Sequence, residues 1–215
     1  MLREVTYNEM FTILIMVGLI AITIAKVAFT NRFNDFAGIL TRSKYLNIYS
    51  RDQKLLDWFD ALLFLNFIIS TAIFIFICFK ALSDQIKVGP DILPRFILGI
   101  GVFLIIKALF ERLVANLFNI DDIIDNYIFQ KTSYKNFFGI LLIPVNAFLI
   151  YGLTPSKTIL YIILPILLMV LMVSLGTSLK RYQKLIKPNL FYFILYLCTL
   201  EIAPYVFLYK FVTLY

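Results

Sequence analysis

The sequence predicts an all-α polytopic integral membrane protein, with about six transmembrane helices and short amphipathic interfacial helices. Of its 215 residues 61% are hydrophobic and 15% charged, whereas a soluble domain is about 45–50% apolar and about 25% charged. Its apolar runs approach the roughly 20 residues that cross a bilayer as a helix. They are too long and too continuous for barrel strands, which alternate over about ten residues. Because a helix satisfies its own backbone in lipid, we expect a single transmembrane helical domain over residues 1–215.

Six apolar segments are predicted to span the membrane. The first is followed by charged residues and not by a small-residue cleavage site, so we interpret it as an anchor and not a cleaved signal peptide. The fourth is short and contains Pro144 and Asn146, and the linker "GLTPSK" that follows fits a tight antiparallel turn. The predicted spans cover residues 10–29, 58–79, 93–114, 137–151, 158–175 and 190–212.

The segment between the first two spans, residues 31–57, combines basic and aromatic side chains. Such a mixture is typical of a chain that lies at the membrane surface, with its basic side toward lipid headgroups. We therefore predict an interfacial segment here. The residues concerned are Arg32, Arg42, Lys44, Arg51 and Lys54, with Phe33, Phe36, Tyr45 and Tyr49.

A second connecting segment, "NIDDIIDNYIFQKTSYK" at residues 119–135, carries isoleucines at helical spacing. Asp121, Asp122 and Asp125 occupy the other face, which predicts a short amphipathic helix at the membrane surface. The acidic face fits either a solvated helix face or a cation site. The segment lacks the glycine and the terminal glutamate of a calcium-binding loop, and this favours the solvated face.

The distribution of basic residues predicts an orientation. The connections after the first, third and fifth spans carry nearly twice as many Lys and Arg residues as the other connections and the termini together. Cytoplasmic loops are the basic ones, so both termini are predicted to be non-cytoplasmic. The net charge of +7 is interpreted as attraction to a lipid bilayer that contains anionic lipids, with no nucleic-acid partner.

The residue types exclude several chemistries. The chain has no histidine, which removes histidine metal sites, histidine haem ligation and Ser-His or Cys-His catalysis. Cys78 and Cys198 both lie in apolar spans, where cysteine acts as a small hydrophobic residue; a disulfide or redox pair is the less favoured interpretation. We therefore expect a non-enzymatic protein without metal or cofactor.

Ionisable residues inside the spans are the most informative feature. Lys107, Glu111 and Arg112 lie in the third span and Glu201 in the sixth. An unpaired charge at the bilayer centre costs at least about 2.5–3.5 kcal/mol, so these residues are expected to meet partners inside the bundle. Lys107 and Glu201 lie at similar depth. The hypothesis is a buried polar cluster of all four residues that joins the two spans.

Pro204 and three asparagines are candidates to extend this cluster. Pro204 frees the carbonyl one turn back and predicts a kink beside Glu201. Asn66, Asn116 and Asn146 are the possible polar extension. Two interpretations stay open: a closed ionic cluster that fixes the helices, or a site for an ion, a proton or an anionic lipid.

Two segments carry a family resemblance. "NFFGILLIP" at the start of the fourth span and "FYFILYLCTLEIAPYVFLYK" in the sixth resemble an uncharacterised membrane family, domain of unknown function 4271, typical of Bacteroidota. The resemblance covers roughly the last two-thirds of the chain. It implies a multi-pass helical protein of the bacterial inner (cytoplasmic) membrane, and no known activity. It also marks Glu201, Pro204 and Lys210 as residues of the family's motif.

Three functions compete at this point. The favoured one is a non-enzymatic assembly or scaffold subunit of a cell-envelope complex, with a membrane-protein partner or a homo-oligomer. The alternative is a small transporter or channel that uses Glu201 and Lys107 as an ion, proton or anionic-lipid site. An intramembrane enzyme is less favoured, because glutamate-based proteolysis normally recruits histidine or a metal. Close helix contacts for a scaffold would come from Gly18, Ala21, Ala25, Gly99 and Gly101.

Overall fold

A computed structural model describes residues 5–40, 44–49, 57–82, 92–117, 121–152, 157, 159–170 and 172. These ranges are helical and contain no strand. The elements are α1 (Val5–Ala28), α2 (Thr30–Ala37), α3 (Lys44–Tyr49), α4 (Trp58–Leu82), α5 (Ile92–Leu117), α6 (Asp121–Ala147), a π-helical turn (Phe148–Gly152) and α7 (Ile159–Val170).

Four helical segments in this part of the chain are long and apolar enough to cross a membrane: Glu9–Ala28, Trp58–Ala81, Ile92–Val114 and Asp125–Gly152. They confirm an all-helical chain of membrane-protein character. The first three agree with the predicted spans to within a few residues. The described part of the predicted fifth span contains α7, and the sixth span lies outside the described residues. The count of six spans therefore stays a prediction.

The structure differs from the sequence prediction in α6. The predicted surface helix and the predicted fourth span form one continuous helix, Asp121–Ala147. The physical reason is that no glycine or proline occurs between Asp121 and Phe138, so no residue there favours a helix end. Pro144 lies close to the end of the helix, and the π-helical turn follows it.

The long helices pack around α4, which contacts α1, α5 and α6. Asn136 bonds to Asp60, and Asn146 bonds to Ser70 ten residues further along both helices. α6 therefore runs parallel to α4. Since Asn136 is level with the beginning of α4, the first half of α6 extends beyond the beginning of α4.

Burial is unequal among the spans. Of the apolar window of α4, 56% is buried, whereas only 11% of the window of α5 is buried. The core contains Phe11 from α1, Ile73 and Phe76 from α4, and Leu149 from the π-helical turn. α5 consequently presents most of its apolar surface outward.

The short helices α2 and α3 pack back onto the bundle. Phe36 and Tyr45 are fully buried. Their rings lie 5.7 Å from Phe59 of α4 and 5.7 Å from Phe129 of α6, respectively. Of the aromatic residues of the predicted interfacial segment, Phe36 and Tyr45 are thus core residues, and Phe33 and Tyr49 are partly buried against them. The position of α2 and α3 at a membrane surface stays a prediction.

One glycine sets the closest approach of α4 and α6. A Cβ at Gly139 would lie 2.6 Å from the Phe67 Cα, far inside van der Waals contact. Glycine is needed because only its missing side chain lets the two backbones come so near. This contact fixes the register of α6 against α4, and with it the side chains of α6 that face α5.

Candidate functional site

The ionic centre consists of Lys107 and Glu111 on α5 and Lys131 on α6. The Lys131 Nζ lies 2.7 Å from the Glu111 Oε1 and donates a hydrogen bond to it. The Lys107 Nζ lies 3.9 Å from the same oxygen. The exposed fractions are only 5% for Lys107, 2% for Glu111 and 9% for Lys131. One buried carboxylate is therefore shared by two ammonium groups.

The ionic centre borders a cavity between α4, α5 and α6. Its volume of about 30 Å³ is room for roughly one or two water molecules. Three lysines and one carboxylate line this small space together with apolar side chains, and it is too small to be a passage for a large substrate. The lining residues are Phe64, Leu104, Lys107, Ala108, Glu111, Ile128, Lys131, Thr132 and Lys135.

The other members of the predicted cluster lie elsewhere or outside the described residues. The Arg112 Nε lies 3.9 Å from the Asp125 Oδ1, and both side chains are partly exposed. The structure thus does not bring Arg112 to the ionic centre. Glu201, Pro204 and Lys210 fall outside the described residues, so the pairing of Lys107 with Glu201 stays a prediction.

Lys131 is the functional candidate that sequence reasoning missed. The sequence prediction places it on a separate surface helix, whereas it lies within the continuous α6. A signal was present: residues 128, 131, 132 and 135 share one face of a helix, and nothing in the sequence between Asp121 and Phe138 ends that helix. What the sequence does not show is that this face meets α5.

A second polar group, the asparagine seam, consists of Asn66, Ser70 and Asn146. The Ser70 hydroxyl donates to the Asn66 Oδ1 at 3.3 Å, and the Asn146 Nδ2 donates to the Ser70 carbonyl at 2.8 Å. Gly18 of α1 closes the seam, because a Cβ there would lie 2.8 Å from the Asn66 Oδ1. The seam joins α1, α4 and α6. Asn116, by contrast, is exposed near the end of α5.

A third group, the Arg32 clasp, consists of Arg32, Asp57 and Asp60. The Arg32 Nη1 donates to the Asp57 Oδ2 at 2.9 Å, and the Nη2 donates to the Asp60 Oδ2 at 2.7 Å. The guanidinium carbon also lies 4.8 Å from the centre of the Phe59 ring and 5.1 Å from that of Tyr49. The clasp therefore holds α2 and α3 against the beginning of α4.

The charges and burial at the Arg32 clasp raise the pKa of Arg32 and of the neighbouring Tyr45. Burial lowers the pKa of the Arg32 guanidinium, but attraction to the Asp60 carboxylate and further favourable contacts outweigh burial, and the net pKa is raised. Burial first, and then the charge of Asp60, raise the pKa of the Tyr45 hydroxyl. At neutral pH Arg32 is a cation and Tyr45 a neutral phenol.

Comparison with known proteins identifies the family of the chain and no individual relative. No curated protein and no solved structure is detectably similar to it. A family model matches residues 11–212, which include the two segments quoted above and extend well beyond the last two-thirds of the sequence. The chain therefore belongs to the family described as "Domain of unknown function (DUF4271)".

Proposed function

We propose that the protein is a non-enzymatic component of the bacterial inner membrane that acts as an assembly or scaffold subunit of a cell-envelope complex. The observation that carries this proposal is the mutual pairing of the charges in the ionic centre. Glu111 bonds to Lys131 across the α5–α6 contact, and the cavity beside them is about 30 Å³. Charges arranged in this way hold two helices together, and they leave the outer faces of the bundle as the surface for a partner.

The outer face of α5 supports a role in association. Its large apolar side chains point away from the rest of the bundle, and such a face contacts either lipid chains or a membrane-protein partner. A scaffold subunit requires a broad helical surface of this kind. The most exposed residues of this face are Leu98, Val102, Ile105, Leu109, Phe110 and Leu113.

The predicted orientation belongs to the same proposal. Both termini are non-cytoplasmic, so the end of the bundle that carries α2, α3 and the first half of α6 faces the cytoplasm. The basic residues of segment 31–57 then lie near anionic headgroups. Reporter fusions at residues 1 and 215 test the orientation, and a cytoplasmic signal from either fusion would contradict it.

Affinity purification from mild detergent tests the scaffold role. We expect a partner at fixed stoichiometry, or a defined homo-oligomer. Leu109→Trp on the exposed face of α5 should weaken the association several-fold while the protein keeps its abundance. Ile20→Trp is the matched control, because Ile20 is comparably exposed on α1 and should leave the complex intact. A monomer without partners, or equal loss in both variants, would contradict the proposal.

A small transporter or channel is the second candidate, because three lysines and a carboxylate line one small cavity. In this case Lys107 and Glu201 hold an ion, a proton or an anionic lipid headgroup. Purified protein in vesicles should then support flux. Glu201→Gln should abolish this flux while folding is kept, and the α5 surface variant should leave it unchanged.

A further inference from the structure

Nearly two turns of α6 are polar at every position and yet lie inside the protein. The sequence "QKTSYKN", residues 130–136, contains no residue that is more than half-exposed. Gln130, Ser133 and Asn136 follow one another at i, i+3 spacing, so their side chains are neighbours on the helix surface. Each of the three is at most 1% exposed.

Two of these three side chains carry polar atoms that lack protein partners. In the described part of the structure, no hydrogen bond reaches either amide atom of Gln130 or the Asn136 Oδ1, whereas the Ser133 hydroxyl interacts with Tyr45. The Nε of Arg32 is also without a hydrogen bond. An unpaired buried polar group costs about 1–3 kcal/mol, so four of them would consume much of the 5–15 kcal/mol by which proteins are typically stable.

Two of the three residues contact the groups around the Arg32 clasp. The Asn136 Nδ2 donates to the backbone carbonyl of Asp60 at 3.4 Å. The Ser133 hydroxyl makes a side-chain hydrogen bond with Tyr45, and the Arg32 Nη2 bonds to Asp60. Gln130 precedes Ser133 by about one helical turn on the same helix, so it adjoins the place where α2, α3, the beginning of α4 and the middle of α6 meet.

The chemistry of these atoms identifies the ligand class. The Gln130 Nε2 and the Arg32 Nε are donors, and the Gln130 Oε1 and the Asn136 Oδ1 are acceptors. A metal ion would bind only the oxygens, and an anion would bind only the donors. Water both donates and accepts, and a buried water makes about three hydrogen bonds. Four protein groups therefore suit about two water molecules that also bond to each other.

We propose that Gln130, Ser133 and Asn136, with the Arg32 clasp, form an internal hydration site that holds about two exchangeable water molecules. The water completes the polar contacts between α6 and the α2–α3 segment. It makes this end of the bundle a hydrated junction, unlike the apolar core around Phe76. This inference does not depend on the scaffold function.

Radiolytic hydroxyl-radical footprinting tests the site, because radicals formed from bound water modify the side chains beside it. Phe129 adjoins Gln130 in the sequence, and Phe76 lies in the apolar core; they are 4% and 1% exposed. We expect Phe129 to be modified several-fold faster than Phe76. Equal rates in the unaltered protein would overturn the proposal without the need for any variant.

A matched pair of variants assigns the water to Gln130. Gln130→Met keeps the size of the side chain but removes both polar atoms, and it should lower the Phe129 rate toward that of Phe76. Gln130→Glu can still bond to water and should keep most of the rate. If Phe129 stays fast in a folded Gln130→Met protein, radicals reach it from bulk solvent and the hydration site is wrong.

Discussion

The Glu111 carboxylate lies 2.7 Å from the Lys131 ammonium on another helix and 3.9 Å from the Lys107 ammonium on its own helix. The contact between helices is thus the closer of the two. A base placed four residues before an acid is also the weaker order within a helix. Lys131 is therefore the principal partner of Glu111, and the contact ties α6 to α5.

Removing Lys131 should destabilise the protein more than removing Lys107. Lys131→Met leaves Glu111 without its closest partner, and breaking a buried ion pair costs about 3–5 kcal/mol. Lys107→Met should cost clearly less. Equilibrium unfolding in detergent measures both. The double variant Glu111→Gln with Lys131→Met should recover part of the lost free energy of unfolding. A larger loss in Lys107→Met than in Lys131→Met would contradict the conclusion that Lys131 is the principal partner of Glu111.

The predicted pairing of Lys107 with Glu201 has its own test. Each single change, Lys107→Met or Glu201→Leu, should leave one uncompensated charge in the membrane and lower the assembled fraction. The double variant loses one positive and one negative charge, so no uncompensated charge remains. It should assemble better than either single variant. Protein abundance in the membrane and monodispersity after extraction are the measurements. Normal assembly of both single variants would refute the pairing.

Substitution by alanine should lower the stability of the protein at Gly139 and raise it at Gly99. Gly139→Ala places a Cβ 2.6 Å from the Phe67 Cα, so α4 and α6 must separate. We expect a loss of about 1–3 kcal/mol from overpacking. Gly99→Ala meets no heavy atom within 4 Å and should gain about 0.5–1 kcal/mol, because alanine has the better helix propensity. Thermal unfolding of the pair checks this, and a stable Gly139→Ala variant would mean that the two helices are farther apart.

Arg32→Lys should weaken the attachment of α2 and α3. Lysine keeps the charge but loses the planar guanidinium that bonds to two carboxylates and stacks on Phe59. A loss of about 1–3 kcal/mol is expected. Lys44→Met is the control, because the Lys44–Asp35 pair is largely exposed and such pairs contribute at most about 1 kcal/mol. Limited proteolysis in the α2–α3 segment should increase in the Arg32 variant alone.

Tyr45 should make the stability of the protein fall at high pH. Burial, and next the Asp60 charge, raise its pKa in the folded protein, while an unfolded tyrosine loses its proton near about pH 10. Above that pH the unfolded chain binds fewer protons than the folded one, so the free energy of unfolding decreases. Tyr45→Phe should have a flatter stability profile above about pH 10. The other tyrosines are common to both proteins and cancel in the comparison; parallel profiles would contradict the prediction.

The sequence predictions agree with the structure where a feature depends on residues that are close together in the chain. The spans in α1, α4 and α5 follow from runs of apolar residues, and the burial of Lys107 and Glu111 follows from their place in such a run. The contact with Lys131 does not follow, because it requires α6 to be continuous and to turn one face toward α5. Asn66 and Asn146 were candidates individually; Asn66 reaches Ser70 within α4, but only the parallel packing of α4 and α6 brings Asn146 there.

By itself the sequence determined that the chain is helical and of membrane-protein character and that its buried charges need partners, because hydrocarbon cannot hydrogen-bond to a backbone or solvate an ion. The tertiary structure decided which groups meet. That choice depends on which helices are neighbours and on their register, here fixed where Gly139 lies against Phe67. Packing of this kind joins residues far apart in the chain, so Glu111 meets Lys131 and Arg32 meets Asp60 through contacts that no local pattern records.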